Sequence, residues 1–373
     1  MRREIDIVVV GGGIVGLAAA VALAQAGRSL VVLERREAIA REITSRNSQV
    51  IHAGIYYPPG SQKARLCVEG REAIYERCQK YRVPHRALGK LIVATSEDER
   101  SALEALYRCA LDNGVLGVEW LSAAAAVGRE PAVRAVAALC SPRSGIVDAE
   151  VLALSFAAEA AAGGAEIALR TELIGLKACV GGWQVEAREA SGDVTTLRCA
   201  AVVNAAGLAA DSIAALAGMD VERCGYRLFY CKGDYFSLAP GAPLSLHHLV
   251  YPLPAGAGLG VHATLDLAGR IRFGPDAEYV EKLDYRVDPA KAERFAAAAQ
   301  RYLPVLRADW LAPEGSGIRP KLAAPGESFR DFVIEEESAA GFPGLVNVIG
   351  IESPGLTAAP AIARRVAELL QSL

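Results

Sequence analysis

The sequence predicts an α/β chain (α+β overall), in which a doubly wound, Rossmann-like domain is interrupted by an inserted mixed or antiparallel β-sheet. Three observations predict this. An apolar strand, a glycine cluster, a helix and a second strand follow one another within the first 35 residues. A second buried strand ends on small residues at Asn204-Ala205-Ala206-Gly207. At about Gly218 the composition passes from alanine-rich elements to aromatic-bearing strands, and after Trp310 it passes back. Residues 1–85, 142–217 and 311–373 are therefore assigned to the first domain, and 86–141 and 218–310 to the second.

The first unit is the most informative. Ile5 to Val10 reads as a buried strand, Ile14 to Gln25 as a helix ended by Gly27, and Leu30 to Leu33 as a second strand. Gly11, Gly13 and Gly16 fit G-x-G-x-x-G, and Glu34 follows the last glycine by 18 residues. Gly11 permits the tight turn, Gly13 admits a pyrophosphate against backbone, and Gly16 lets helix and strand pack closely. The helix N-terminus supplies N–H groups and positive dipole to the phosphates. Glu34 is placed to accept hydrogen bonds from a ribose diol, and an acid there argues against a 2′-phosphate. A glycine triplet is weak alone; in this strand, helix, strand and acid context it specifies a dinucleotide, either FAD or NAD.

At 373 residues two domains are the prior, and 52% hydrophobic with 22% charged residues is ample for a core. A net charge of −3 leaves no footprint for nucleic acid. The chain starts on its first strand, so no signal peptide is expected, and no apolar run is long enough for a transmembrane segment. A cytoplasmic protein is expected, any membrane contact being peripheral. The eight cysteines are scattered without C-x-x-C or a histidine cluster, which argues for reduced thiols and no metal site.

Arg46, Asn47 and Ser48 precede Val50, Ile51, His52-Ala53-Gly54 and the pair Tyr56 and Tyr57, a polar segment placed to touch the rest of a cofactor. Lys63 to Gln79 looks helical, Leu88 to Ala94 a strand, and Glu97 to Asp112 a helix begun by acids. Asp148 is a candidate N-cap for a helix over Ala149 to Ala162. Short strands near Ala165–Leu169, Leu173–Ala178 and Trp183–Arg188 suggest a β-meander. The strand into Asn204 ends where backbone can approach a flat ligand, at the carboxyl edge of the sheet. Gly225–Ser237, Ser245–Tyr251, Leu259–Thr264 and Arg270–Phe273 have β character, and Pro289 to Tyr302 helical character.

In the closing stretch Arg319 precedes Pro320 and is pushed into extended geometry. Residues i and i+2 then share a face, so Arg319 and Lys321 project together and invite an anion. Val346 to Ile349 is a strand, Gly350 to Gly355 a loop, and a last helix follows with Pro360 in its first turn.

These pieces together resemble a known family. GGGIVGLAAA with Glu34, NAAG at 204–207, GIRPK at 317–321 and the terminal glycine loop with its helix look like the FAD-dependent oxidoreductases of the D-amino-acid oxidase superfamily. SRNSQVIHAGIYYPPGSQKARLCVEG, LGVHATLDLAGRIRFGPDA and GIRPKLAAPGESFRDFVI look like its L-2-hydroxyglutarate dehydrogenase/oxidase branch. One departure is Gln49, where the branch mostly has glycine. The resemblance implies FAD as cofactor. By carry-over Gly11, Gly13, Ile14, Val15, Gly16, Glu34 and Arg35 would hold its ADP half, with Leu173 against the adenine. Arg46, Asn47, Ser48, Gln49, Val50, Ala206, Gly207 and Gly317 would border pyrophosphate and flavin. Gly355, Leu356 and Thr357 would face the flavin C2 carbonyl.

The implied reaction is oxidation of a 2-hydroxy dicarboxylate to its 2-oxo acid, with oxygen, a quinone or a redox protein as electron acceptor. Arg319 would bind the carboxylate beside C2, and Lys321 the second carboxylate. His262 is the expected base and His52 a positioning group, with Tyr57, Tyr230 and Tyr251 lining the pocket. His85, His247 and His248 are expected to be structural. The rivals are an amino-acid oxidase, a glycerol-3-phosphate-type oxidase and a non-catalytic FAD-binding subunit.

Overall fold

The structure, a computed structural model, describes residues 3–254 and 260–371. Strand Arg3–Val10 is the centre of a parallel layer, flanked on one side by Leu30–Glu34 and then Glu166–Leu169. On its other side runs Val194–Asn204, followed by Leu345–Ile349 and the antiparallel Val333–Glu336. The connection leaves Arg3–Val10 toward one neighbour while its other neighbour arrives from far along the chain. That reversal opens a crevice at the carboxyl ends of Val10 and Asn204. Helices Ile14–Gln25, Gln62–Tyr81, Ala149–Ala162 and Gly355–Leu369 share one apolar core on a single face of this layer. Asp148 caps its helix as the sequence suggests, accepting from the N–H groups of Glu150 and Val151.

The meander differs in membership. Glu166–Leu169 pairs in parallel with Leu30–Glu34, and the antiparallel run consists of Glu172–Cys179, Gly182–Arg188 and the first half of Val194–Asn204. Val194–Asn204 joins both runs into one eight-stranded sheet: its polar-alternating start pairs with the meander and its all-buried end with the parallel strands.

A second, nine-stranded sheet contains Lys90–Ala94, Glu119–Ser122, Ala137–Ser141, Phe229–Leu238, Leu249–Pro252, Ala263–Leu265, Ile271–Phe273, Glu278–Val280 and Leu311–Lys321. The last of these corrects the sequence reading, which returned residues 311–321 to the first domain. Leu311–Lys321 pairs along its length with Phe229–Leu238, so the chain crosses back only after Lys321. Composition changes at Trp310, but hydrogen bonding decides sheet membership.

Leu259, where a strand was expected to start, lies outside the described residues. That strand spans Ala263–Leu265, and His262 precedes it instead of lying on it. The helix expected over Pro289–Tyr302 opens as a tight turn at Pro289–Lys291 and is α-helical from Ala292 to Gln300. The last helix begins at Gly355, one turn earlier than Pro360 suggested, so Pro360 is inside it. Among the described residues no helix is long and apolar enough to cross a membrane, and no cluster of ligating side chains suits a metal ion.

Candidate functional site

The glycine turn is built for close approach. Gly11 has φ +110°, and a Cβ on it would lie 2.4 Å from the Ala205 carbonyl oxygen. A Cβ on Gly16 would lie 2.0 Å from the Gly11 carbonyl oxygen, so helix Ile14–Gln25 can seat itself on the turn only with glycine there. That helix has no acid in its first turn and no side-chain cap of its own. Thr44 compensates from 30 residues away, its hydroxyl accepting the Ile14 N–H at 3.0 Å. Glu34 accepts from the Gly12 N–H and the Arg36 N–H, each at 2.8 Å. A carboxylate has about four acceptor sites, so it retains capacity for a ribose diol. Gly11→Ala is expected to yield a folded but colourless protein, checked by the flavin absorbance of the purified variant.

One cavity of about 630 Å³ runs from this turn into the second sheet. Glu34, Arg35 and Leu173 line it where the parallel strands end; Gly13, Arg46, Ser48, Ala206 and Gly207 line its middle; His52, Tyr57, Tyr251, His262 and Arg319 line its far end. An elongated cavity that joins a pyrophosphate turn to a polar pocket fits FAD. At the far end Nδ1 of His52 and the hydroxyl of Tyr56 are buried and have no hydrogen-bond partner among the described residues.

The far end is cationic. Arg319 donates to the Asp276 carbonyl at 3.1 Å and to the Cys231 sulfur at 3.5 Å, and among the described residues no carboxylate lies within ion-pair distance. Its space exists because residue 233 is glycine: a Cβ there would lie 2.8 Å from the Arg319 Nη2. Lys321 shares the cavity wall but pairs with Glu352 at 3.2 Å, and Glu352 also pairs with Lys63 at 2.9 Å. Burial pushes the Glu352 carboxyl up, and Lys63, Lys321 and Arg319 more than offset it, so it lies below the ordinary value.

The two cavity histidines are held differently. His52 donates its backbone N–H to the Thr357 hydroxyl at 3.0 Å. Its Nε2 lies 3.2 Å from the Ser353 hydroxyl, itself 3.2 Å from the Tyr57 hydroxyl. Burial, with the Lys90 ammonium second, holds the His52 imidazole well below the usual histidine value. His262 lies flat on Tyr251, centroids 3.6 Å apart and planes 13° apart. The other three histidines are elsewhere: His247 and His248 face the buried Glu130, and His85 Nδ1 meets the Val83 carbonyl at 2.8 Å.

Several expected contacts do not line the cavity. Tyr230 donates its hydroxyl to the Leu208 carbonyl at 3.1 Å. Gly16 and Thr357 act from behind the wall, the one by packing and the other by holding His52. Gln49 has φ +58°, the left-handed region that favours glycine, which gives a backbone reason for the branch's glycine there. The strain is met locally, the Gln49 N–H donating to the Asn47 side chain at 2.7 Å. The remaining carried-over positions Ile14, Val15, Asn47, Val50, Gly317, Gly355 and Leu356 line the cavity.

Of the residues that line the cavity, sequence reading missed Lys63, Tyr235 and Glu352. Lys63 did carry a signal: it sits in the first turn of Gln62–Tyr81, where the helix dipole disfavours a cation.

The sequence pattern of the FAD dependent oxidoreductase family matches residues 6–369. The chain is 40% identical to the mitochondrial L-2-hydroxyglutarate dehydrogenase of Arabidopsis thaliana, across 98% of this chain and 83% of that protein. It is 31% identical to the L-2-hydroxyglutarate dehydrogenase of Salmonella houtenae, across 99% and 93%. Among solved structures, FAD-bound L-α-glycerophosphate oxidase from Mycoplasma pneumoniae superposes with a TM-score of 0.87 at 27% identity, covering 99% of this chain and 95% of that one. Glycine oxidase from Geobacillus kaustophilus shares the fold, with a TM-score of 0.79 at 23% identity and coverage of 99% and 95%. The chain belongs to the FAD-dependent oxidoreductase family and binds FAD.

Proposed function

We propose that this FAD-dependent oxidoreductase converts L-2-hydroxyglutarate to 2-oxoglutarate. The observation that carries the substrate is the charge balance of the far end. Among the described residues three cations at that end, Arg319, Lys321 and Lys63, stand against one carboxylate, Glu352, which pairs with the two lysines; this leaves two positive charges against a substrate of two negative charges. An amino acid would present an amine to that surplus. Arg319 and Lys321 stand two positions apart on one strand, about 7 Å along it, which suits two separate carboxylates better than one compact phosphate. The names of the relatives support the same substrate.

FAD, when bound, supplies the hydride acceptor for C2 of the substrate. The protein's share is to bind, orient and deprotonate. Arg319 grips the carboxylate next to C2 with its planar fork, which the Asp276 carbonyl holds in place. Lys321 and Lys63 meet the distal carboxylate. His52 takes the hydroxyl proton, reversing the role expected from sequence. It stays neutral at working pH, and its Nε2 is joined to Ser353 and Tyr57, a path along which a proton can leave. His262, flat against Tyr251, orients the substrate. The N-terminus of Gly355–Leu369 offers positive dipole to negative charge that develops beside it.

The test is anaerobic mixing of the holoenzyme with L-2-hydroxyglutarate, D-2-hydroxyglutarate, glycine and glycerol 3-phosphate in turn. Bleaching of the flavin band by the L-hydroxy acid alone is the expected result. Bleaching by glycine or glycerol phosphate in its place would move the substrate to the corresponding rival class.

A further inference from the structure

Lys90 opens the strand Lys90–Ala94, between Leu249–Pro252 and Ala137–Ser141. Its side chain is buried, with 1% of the residue exposed. Lysine is almost never buried so fully unless paired, and among the described residues no carboxylate lies within ion-pair distance of it. Its Nζ instead lies 3.9 Å from the Tyr251 ring centroid and 5.4 Å from that of Tyr56. The Tyr251 ring also carries His262, stacked at 3.6 Å. One ring face cannot hold both at such distances, so ammonium and imidazole occupy opposite faces. Tyr56, Tyr251, His262 and His52 all line the cavity. A positive charge is thus sealed behind the aromatic wall of the substrate end.

We infer that Lys90 is a positioning residue of the reaction: it clamps the Tyr251 ring that carries His262 and places its charge behind the same end of the cavity as His52. A nearby cation disfavours the charged imidazolium. The Lys90 ammonium lowers the proton affinity of His52, second in effect to burial. Burial holds Lys90 itself down to about 7, so it is largely cationic in the acidic range where a histidine would otherwise take a proton. The titratable groups facing it do not cancel that charge. Burial pushes the Cys67 thiol up to about 12, and the Tyr56 and Tyr251 phenols are raised likewise. On the far side the His52 imidazole meets the Ser353 hydroxyl, while its backbone N–H bonds the Thr357 hydroxyl and its carbonyl accepts from the Cys67 thiol.

The inference rests on His52 as the proton acceptor, and its test needs no substrate. In FAD-loaded enzyme with ¹³C-labelled histidine, the His52 resonance is identified by its loss in His52→Asn and titrated by NMR. In Lys90→Met the His52 midpoint should rise by about one pH unit. Lys90→Gln, polar but neutral, gives the same readout if the methionine variant does not fold. A midpoint unchanged or lowered in the folded variant overturns the inference. A raised midpoint in an enzyme that L-2-hydroxyglutarate does not bleach supports Lys90 and sinks the substrate reading alone.

Discussion

Replacing Arg319 by alanine is expected to leave a folded, yellow protein whose kcat/KM for L-2-hydroxyglutarate falls roughly thirty- to several-thousand-fold, the 2–5 kcal/mol that loss of a buried charge partner costs. FAD should remain bound, because the groups that surround its ADP half lie at the other end of the cavity. Among the described residues no carboxylate lies within ion-pair distance of the guanidinium, which is aimed by backbone and sulfur acceptors, so its remaining donors serve whatever enters the pocket. Arg319→Lys should recover little, since a lysine has no planar fork. Steady-state kinetics with the flavin content measured in parallel checks this. Undiminished kcat/KM in Arg319→Ala would remove Arg319 from the substrate site.

The ADP end was legible because its parts are contiguous. Turn, helix, strand and acid occupy one short run, and each glycine has a steric reason on its own. The far end is assembled from segments around residues 52, 63, 251, 262, 319 and 352, which only the two sheets bring together. Extended alternation put Arg319 and Lys321 on one face, but could not show that Glu352 already pairs with Lys321. Lys63 read as the start of a helix, although a cation in a first turn is a local mismatch that something must offset; Glu352 does so. Pro360 misled in the same way. Its preference for the first turn was outweighed by packing, which extends the helix back to Gly355 against Gly70. Lys90 had no sequence signal, because its significance lies in what surrounds it.

The choice between the histidines makes the sharpest demand on the site. His52→Asn should slow flavin reduction about 10²- to 10⁴-fold, the usual scale for loss of a general base, while His262→Asn should mainly raise KM. The reason is local chemistry. A base must be neutral before it can accept a proton, and it must have somewhere to pass that proton. His52 meets the first condition because burial and Lys90 depress its proton affinity, and the second through Ser353 and Tyr57. Stacking on Tyr251 fixes the plane of His262, which suits it to shape the pocket. The wild-type rate should hold through neutral pH and fall only below the usual histidine range, because a depressed affinity moves the inactivating protonation to lower pH. Single-turnover stopped flow across pH checks both claims. A small effect in His52→Asn beside a large one in His262→Asn would return the proton to His262 and leave the Ser353–Tyr57 chain as scaffolding for the terminal helix.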